Sequence, residues 1–355
     1  MLILNRYLAT QLTYMVGIAS VLLMSIDLFF MLVNEFRFIG HGTYDMGDAF
    51  GMILLAIPQK IYQWFPFALL LGTLLSLNQM SNHNELTALR AHRYSLRHIV
   101  FALLKTGIFL SMFAFVLGEF IAPAFDRVGQ NHRAVLLSGG QALATAQGTW
   151  MRDGKDYIHI RNMKVDGTLE GITQYHFDDA FDLVEASYAQ SANYHDGVWQ
   201  LQNIQFTHLF PDHVETQVRE SMTWSTTMNP DTLRVASIKY LDQLSIHGLW
   251  QAIHYRDLNG LDAKPYWLAF WKKITQPLSC LIMILVAIPF VFGSLRTATT
   301  GLRLLLGVLV GIFYHTLNAF FGPFTLLYGL PPLMGALFPT VVFAGGAYWG
   351  MRKIY

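Results

Sequence analysis

LTYMVGIASVLLMSIDLFFMLV, residues 12–33, decides the class of this protein, because only Asp27 interrupts its apolar run. About 20 mostly apolar residues cross the hydrocarbon core of a bilayer as a helix. Signal-peptide cores span only about 7–15 residues and end in a small-residue cleavage site. This run is longer and lacks that site, so it is expected to remain as an anchor. Residues 61–77 and 99–122, the latter closed by Pro123, complete a first block of three spans. Residues 274–292, 302–321 and 332–350 make a second block. Gly322-Pro323 and Pro331-Pro332 are expected to end span five and start span six with a tight, uncharged outer turn. Composition agrees: 53% of the 355 residues are hydrophobic and 13% charged, against about 25% charged in soluble domains.

Lysine and arginine placement orients the spans. Arg6 precedes span one; Arg90, Arg93, Arg97 and Lys105 fall around the link between spans two and three. Arg296 and Arg303 lie between spans four and five, and Arg352 and Lys353 follow span six. Six crossings put all of these on one side, so both termini are expected in the cytoplasm. The middle, about 123–270, then lies outside, and its acidic residues outnumber its basic ones. Asp166-Gly167 and Asp196-Gly197 suit the type I′ turns of hairpins. Around them lie β-prone segments 157–160, 171–177, 187–194, 198–206 and 214–218. Short strands at this spacing predict a sandwich or jelly roll. Ser245 reads as the N-cap of a helix over 246–258, closed by Gly260. The expected architecture is an α-helical membrane protein, three spans plus three, with an inserted outer β-jellyroll or sandwich. Its divisions are 1–122, 123–270 and 271–355.

Several chemistries are excluded or weakly supported. The chain has no phosphate-cradling G-x-x-x-x-G-K-[ST], no G-x-S-x-G elbow and no H-E-x-x-H helix. His208 and His213 match no standard zinc spacing, so neither metal nor cofactor is expected. A net charge of +1 without a basic run gives no case for nucleic acid. The single Cys280 forms no intrachain disulfide. Of ionisable groups within the spans, Asp27, Glu119 and His315 are too scattered to predict a proton relay.

Other features stay double-sided. Asn82 with Glu85 three residues on resembles a capping box, and Leu86 and Leu89 would share a face of a short cytoplasmic helix over about 82–91. That helix is either a continuation of span two or a coupling element for a cytoplasmic ATPase. Lys272 and Lys273 at span four, Lys60 at span two and Arg37 beyond span one put positive charge at the outer ends. They either snorkel to headgroups or, with Arg133, ring an anionic ligand beside Trp64, Phe65 and Phe67. Gly307-x-x-x-Gly311 and Gly346-x-x-x-Gly350 permit close helix contact, within the chain or between subunits.

Motifs spread from end to end make the chain resemble the LptF/LptG permease family, membrane subunits of the bacterial lipopolysaccharide exporter. They are NRYL (5–8), GHGTYD (40–45), FPFALLLG (65–72), NELTALRA (84–91), GEFIAP (118–123), GTWMRDG (148–154), QPLS (276–279) and FGPFTLLYGLPP (321–332). The resemblance implies an ABC exporter: a second homologous permease subunit (LptF-like), a dimeric cytoplasmic ATPase (LptB-like) and a periplasmic bridge protein (LptC/LptA-like). It implies that spans one and five line the lipopolysaccharide cavity and its lateral gate, with Tyr314 on span five. It further implies that Glu85, with Leu86, Leu89 and Ala91, couples to the ATPase, and that Arg37, Arg133 and Lys273 lie near the lipid headgroup. The chain departs from relatives at Gln59-Lys60, where a lysine can directly follow the proline, at Met31 in place of lysine, and at Arg93 in place of glycine.

The physics of the job is demanding. Moving one acyl chain of about a dozen carbons into water costs about 10 kcal/mol, at about 0.8 kcal/mol per CH₂. A multi-chain lipid therefore needs an apolar path and external work. A membrane-anchored ligand-binding sensor and an ATP-independent lipid carrier are the competing readings.

Overall fold

The structure is a computed structural model. It describes residues 2–91, 95–137, 148–164, 167–224, 226, 228, 230, 233, 241–293 and 298–354. Arg93, Asp166 and Arg296, named above, lie outside the described residues. The described elements are, in order, α1 (Leu2–Glu35), α2 (Met46–Asn82), α3 (Glu85–Ala91), α4 (Leu96–Val116), α5 (Ala122–Leu137), strands β1 (Thr149–Asp153), β2 (Asp156–Met163), β3 (Leu169–Phe177), β4 (Leu183–His195), β5 (Val198–Leu209) and β6 (Val214–Trp224), then α6 (Ile246–Leu258), α7 (Lys264–Phe292), α8 (Thr300–Leu327) and α9 (Pro332–Arg352). Among the described residues, six helical stretches are long and apolar enough to cross a membrane.

Two prolines do not break helices where the sequence suggests. Helix continues beyond Pro123 because a π turn, Leu117–Ile121, stands directly before α5. A π turn shifts the hydrogen-bond ladder by one residue, which accommodates the N–H that proline lacks. Pro323 likewise lies inside α8, which runs on to Leu327. Pro331 and Pro332 do open α9, with proline at its first position.

The chain divides into two compact units. The first comprises Met1–Asn34, Ile53–Asp126 and Lys264–Tyr355. Its axis is α2, whose most apolar window is 78% buried, against 11% for α1 and 17% for α8. Missing side chains let neighbours approach: a Cβ at Gly72 would fall 2.5 Å from Val16 of α1. One at Gly307 would fall 2.2 Å from Leu74, and one at Gly311 1.9 Å from Phe67. The first glycine pair is therefore contact within the chain, between α8 and α2. In the second pair, Gly350 abuts Pro289 of α7, whereas Gly346 has open space around it. Helix α1 is packed along one stripe only: Leu8, Leu12, Val16 and Ala19 are buried, and no described residue from Ser20 to Asn34 is.

The second unit comprises Glu35–Met52 and Arg127–Ala263. Its strands form one antiparallel sheet in the order β1-β2-β3-β4-β5-β6, each paired with its sequence neighbour. The expected β-rich insert is present, built among the described residues as a meander. All five anticipated strands occur, and β1 was not anticipated. Asp196 (φ 51) and Gly197 (φ 85) form the β4–β5 turn, both left-handed as a type I′ turn requires.

Inward-facing residues alternate along β5 through Trp199 and Leu201, then resume at Ile204 and Phe206 after a skipped residue. The same skip separates Ala189 from Ala192 on β4 and Leu169 from Ile172 on β3. Asn203 and Gly171 sit at the skip with positive φ of 50 and 65, and the Asn203 amide donates to Gln190 Oε1 at 2.7 Å. A crease in the side-chain pattern therefore crosses three adjacent strands, with one-to-one pairing kept on both sides of it, while the apolar side chains stay on one face. Trp199 is fully buried there, and its indole N–H donates to the carbonyl of Met228 at 2.9 Å. Helix α6 starts as expected, with Ser245 Oγ accepting from the Gly248 N–H at 3.1 Å. It docks on the β1–β2 turn: Tyr255 donates to the Arg152 carbonyl at 2.7 Å, and Asn259 Oδ1 accepts from the Gly154 N–H at 2.9 Å.

Candidate functional site

Within the first unit, the C-terminal half of α1 is tied down by charge. Asp27 pairs with Lys60 of α2 at 2.8 Å, each side chain 24% exposed. One helical turn beyond Lys60, Trp64 stacks on His315 of α8, with ring centroids 4.5 Å apart and planes 22° apart. Phe67 lies 6.3 Å from Trp64. Three of the expected site residues, Lys60, Trp64 and Phe67, thus fall in one cluster with two residues considered only as possible relay groups. Phe65 and Phe67 are themselves core residues, both nearly fully buried.

Lys273 belongs elsewhere in the same unit. It is buried, its Nζ donating to the Gly118 carbonyl at 3.2 Å and standing 3.6 Å from the Glu119 carboxylate. Both partners lie in the π turn. The Tyr62 ring is 5.7 Å away and packs against Gly118. Its sequence neighbour Lys272 donates to the Asn318 carbonyl of α8 at 3.2 Å. Tyr314 is buried, edge-on to Phe343 of α9 at 5.1 Å, facing helix neighbours rather than a surface.

At the other end of these helices, α3 does not start with a capping box. Asn82 is the last residue of α2, and its amide meets the Thr300 hydroxyl at 3.3 Å. Asn84 takes positive φ (59) and its carbonyl receives the Ala88 N–H. An intervening left-handed residue rotates the chain, which removes Asn82 from capping reach. Glu85 accepts from the Tyr7 hydroxyl of α1 at 2.8 Å. Leu86 is buried in the helical core and Leu89 packs against it. Thr87, Ala88 and Ala91 are exposed, so the outward face of α3 presents small side chains.

The second unit holds its own polar cluster. Glu35 pairs with Arg133 of α5 at 3.3 Å and accepts from the Tyr44 hydroxyl at 3.1 Å. The Arg133 guanidinium lies 4.2 Å over Phe38, a cation–π contact. Burial first, and the Glu35 carboxylate second, push the Tyr44 phenol up to about 12. The loop that delivers Tyr44 turns at Gly42, where a Cβ would fall 2.3 Å from the Leu136 carbonyl oxygen. Arg37 is exposed.

Residues 6–353 match the family described as lipopolysaccharide export system permease LptF/LptG. The chain belongs to the LptF/LptG permease family. It is 34% identical to lipopolysaccharide export system permease protein LptG of Escherichia coli (strain K12) over 354 residues, 99% of this chain and 98% of that protein. The LptG of Haemophilus influenzae is 32% identical over 352 residues, again 99% and 98% of the two chains.

In this LptF/LptG permease the sequence reading named Lys60, Lys273, Asp27 and Glu119 without pairing them, and it missed Glu35, the partner of Arg133. Glu35, two residues before Arg37, carried no signal apart from its charge at the end of an apolar run. Tyr7 was visible only as part of NRYL. Asn78 and Gln79, the polar groups near the C-terminal end of α2, were absorbed into a helix read by its apolar content.

Proposed function

We propose that this chain is an LptG-like permease subunit of an ABC-type exporter that extracts lipopolysaccharide from the outer leaflet of the inner membrane. Its arrangement is three spans plus three, with both termini cytoplasmic and the inserted sheet periplasmic. The observation that carries this reading is the coverage of α1 and α8. These two apolar helices are the least buried of the six, and α1 has no buried residue from Ser20 to Asn34. An uncovered apolar helix face in a membrane is a face for lipid or for another helix. A second, homologous permease set against those faces encloses an apolar cavity with α1 as a movable side. Asp27–Lys60 is then a closure that an anionic headgroup competes for, and Trp64 offers apolar contact beside it.

Among the basic residues, Lys60, Arg37 and Arg133 are assigned to headgroup phosphates. Lys273, buried and engaged by the π turn, is assigned to holding α4 against α7. Lys272 and Tyr314 join helices around the same path. The apolar face of the sheet receives the acyl chains on their way to an LptC/LptA-like bridge. Work comes from a dimeric LptB-like ATPase docked at Thr87, Ala88 and Ala91, with Glu85 between the docking surface and α1, and Leu86 and Leu89 anchoring α3 from within.

Co-purification from a mild detergent extract tests this reading. A second permease, a dimeric ATPase and lipopolysaccharide are expected to come with the chain. A chain recovered without ATPase or lipopolysaccharide refutes the proposal and favours the sensor or passive-carrier alternatives.

A further inference from the structure

We propose that Tyr7 and Arg303 are positioning residues that carry the movement of α3 into α1 and α8, an inference that rests on the exporter reading above. The inner end of α2 presents two residues one turn apart, Asn78 and Asn82, to two residues of α8, Thr300 and Arg303. Arg303 Nη1 donates to Asn78 Oδ1 at 2.7 Å with both side chains buried. The Asn82 amide and Thr300 hydroxyl meet at 3.3 Å. On the opposite flank α1 repeats the pattern with residues four apart. Tyr7 donates to Glu85 of α3 at 2.8 Å, and Gln11 donates to Gln79 of α2 at 2.7 Å.

Residues spaced by three or four stand on one helix face, so each flank makes a two-point polar grip. Arg303–Asn78 is buried, where the low local dielectric strengthens a hydrogen bond, and Gln11–Gln79 is half-buried. Tyr7–Glu85 and Asn82–Thr300 are exposed and contribute direction, whereas the neighbouring apolar contacts of Leu8, Leu12, Leu74 and Leu77 slide. The two helices gripped are the two whose faces are least covered. A tilt of α3 therefore pulls on the inner half of α1 through Tyr7, and on the first turn of α8 through its base at Asn78 and Asn82. The α1 end remote from this grip is held by Asp27–Lys60, so a displacement at the base becomes an opening at the other end.

The test uses the assembled permease–ATPase complex in proteoliposomes loaded with lipopolysaccharide, measuring lipopolysaccharide released per ATP hydrolysed. Tyr7→Phe removes one exposed hydroxyl and no packing volume. Arg303→Met removes the buried donor, and Arg303→Lys keeps the charge. Tyr7→Phe and Arg303→Met are expected to lower release per ATP by about fivefold or more, the range of ordinary coupling between sites, with ATP hydrolysis nearly unchanged. Arg303→Lys is expected to recover part of the ratio. An unchanged ratio in Tyr7→Phe and Arg303→Met overturns the inference even if their yield falls, because a merely structural role lowers yield and leaves the ratio alone. Should Arg303→Met not assemble, Tyr7→Phe alone decides. A wild-type chain that binds no ATPase removes the exporter reading itself, a failure distinct from an unchanged ratio in an active complex.

Discussion

Replacing Gly311 by alanine tests whether α8 is seated directly on α2. The added Cβ would lie 1.9 Å from Phe67 Cε2 and 2.2 Å from Cδ2. The ring must retreat by about 1.5 Å before carbon contacts become ordinary, yet it is almost wholly buried. Overpacking of this kind costs about 1–3 kcal/mol, and a rigid ring with nowhere to go belongs near the top of that range. Alanine also favours helix over glycine by about 1 kcal/mol, which would mask part of the loss. Gly346→Ala supplies the correction, because the same helical gain occurs where no atom lies within 4 Å. The difference between the two variants isolates the steric cost, about 2–3 kcal/mol, or roughly 30- to 150-fold in the unfolding constant. Reversible unfolding of the full-length protein in mixed micelles measures it. Phe67→Leu in the Gly311→Ala background should return most of the loss. Equal stability of Gly311→Ala and Gly346→Ala would refute the close packing of α8 on α2.

Three further outcomes are expected. Lys273→Met alone leaves Glu119 buried beside an apolar group and should cost about 3–5 kcal/mol, whereas Lys273→Met with Glu119→Leu should cost much less; an additive double-mutant cycle in the same assay would dismiss the pair. Glu35→Gln should bring the Tyr44 phenol down from about 12 but not to its ordinary value, since burial remains; tyrosine-labelled NMR titration against a Tyr44→Phe reference reads the shift, and no movement would remove Glu35 as a cause. Because that phenol is raised in the folded chain, its contribution to stability is fully present below pH about 10 and is lost as pH climbs through about 12. Ser245→Ala should weaken the start of α6 by about 1 kcal/mol, read as faster amide exchange at Gly248; exchange equal to the wild type would rule out the cap.

How much of this was legible in sequence follows from what each pattern encodes. Apolar runs encode spans directly, because burying charge in lipid is costly, and each of the six runs falls within one of the described helices long and apolar enough to cross a membrane. Their ends were harder. Pro123 and Pro323 stop helices in isolation, and neither does so here, since a π turn or helix packing supplies what proline lacks. The strands announced themselves through β-branched and aromatic residues, except β1, whose TWMRD carries few of either. Sheet order was not legible, since strand spacing is compatible with a meander as well as a jelly roll. Charge partners were illegible for a different reason: Lys60 and Asp27, or Lys273 and Glu119, are joined only by tertiary packing. Leu86 and Leu89 show the same limit, because periodicity reports a shared face without saying whether that face looks inward to the core or outward to a partner.

The crease across β3, β4 and β5 has a consequence for anyone mapping this sheet by labelling. A cysteine walked along β5 would alternate between shielded and reactive through residues 198–202, lose the beat at Asn203, and resume in the opposite parity from Ile204. Even-numbered positions are outward on one side of the fold line and inward on the other. A tally that assumes a single parity would assign half of the buried apolar face to the solvent.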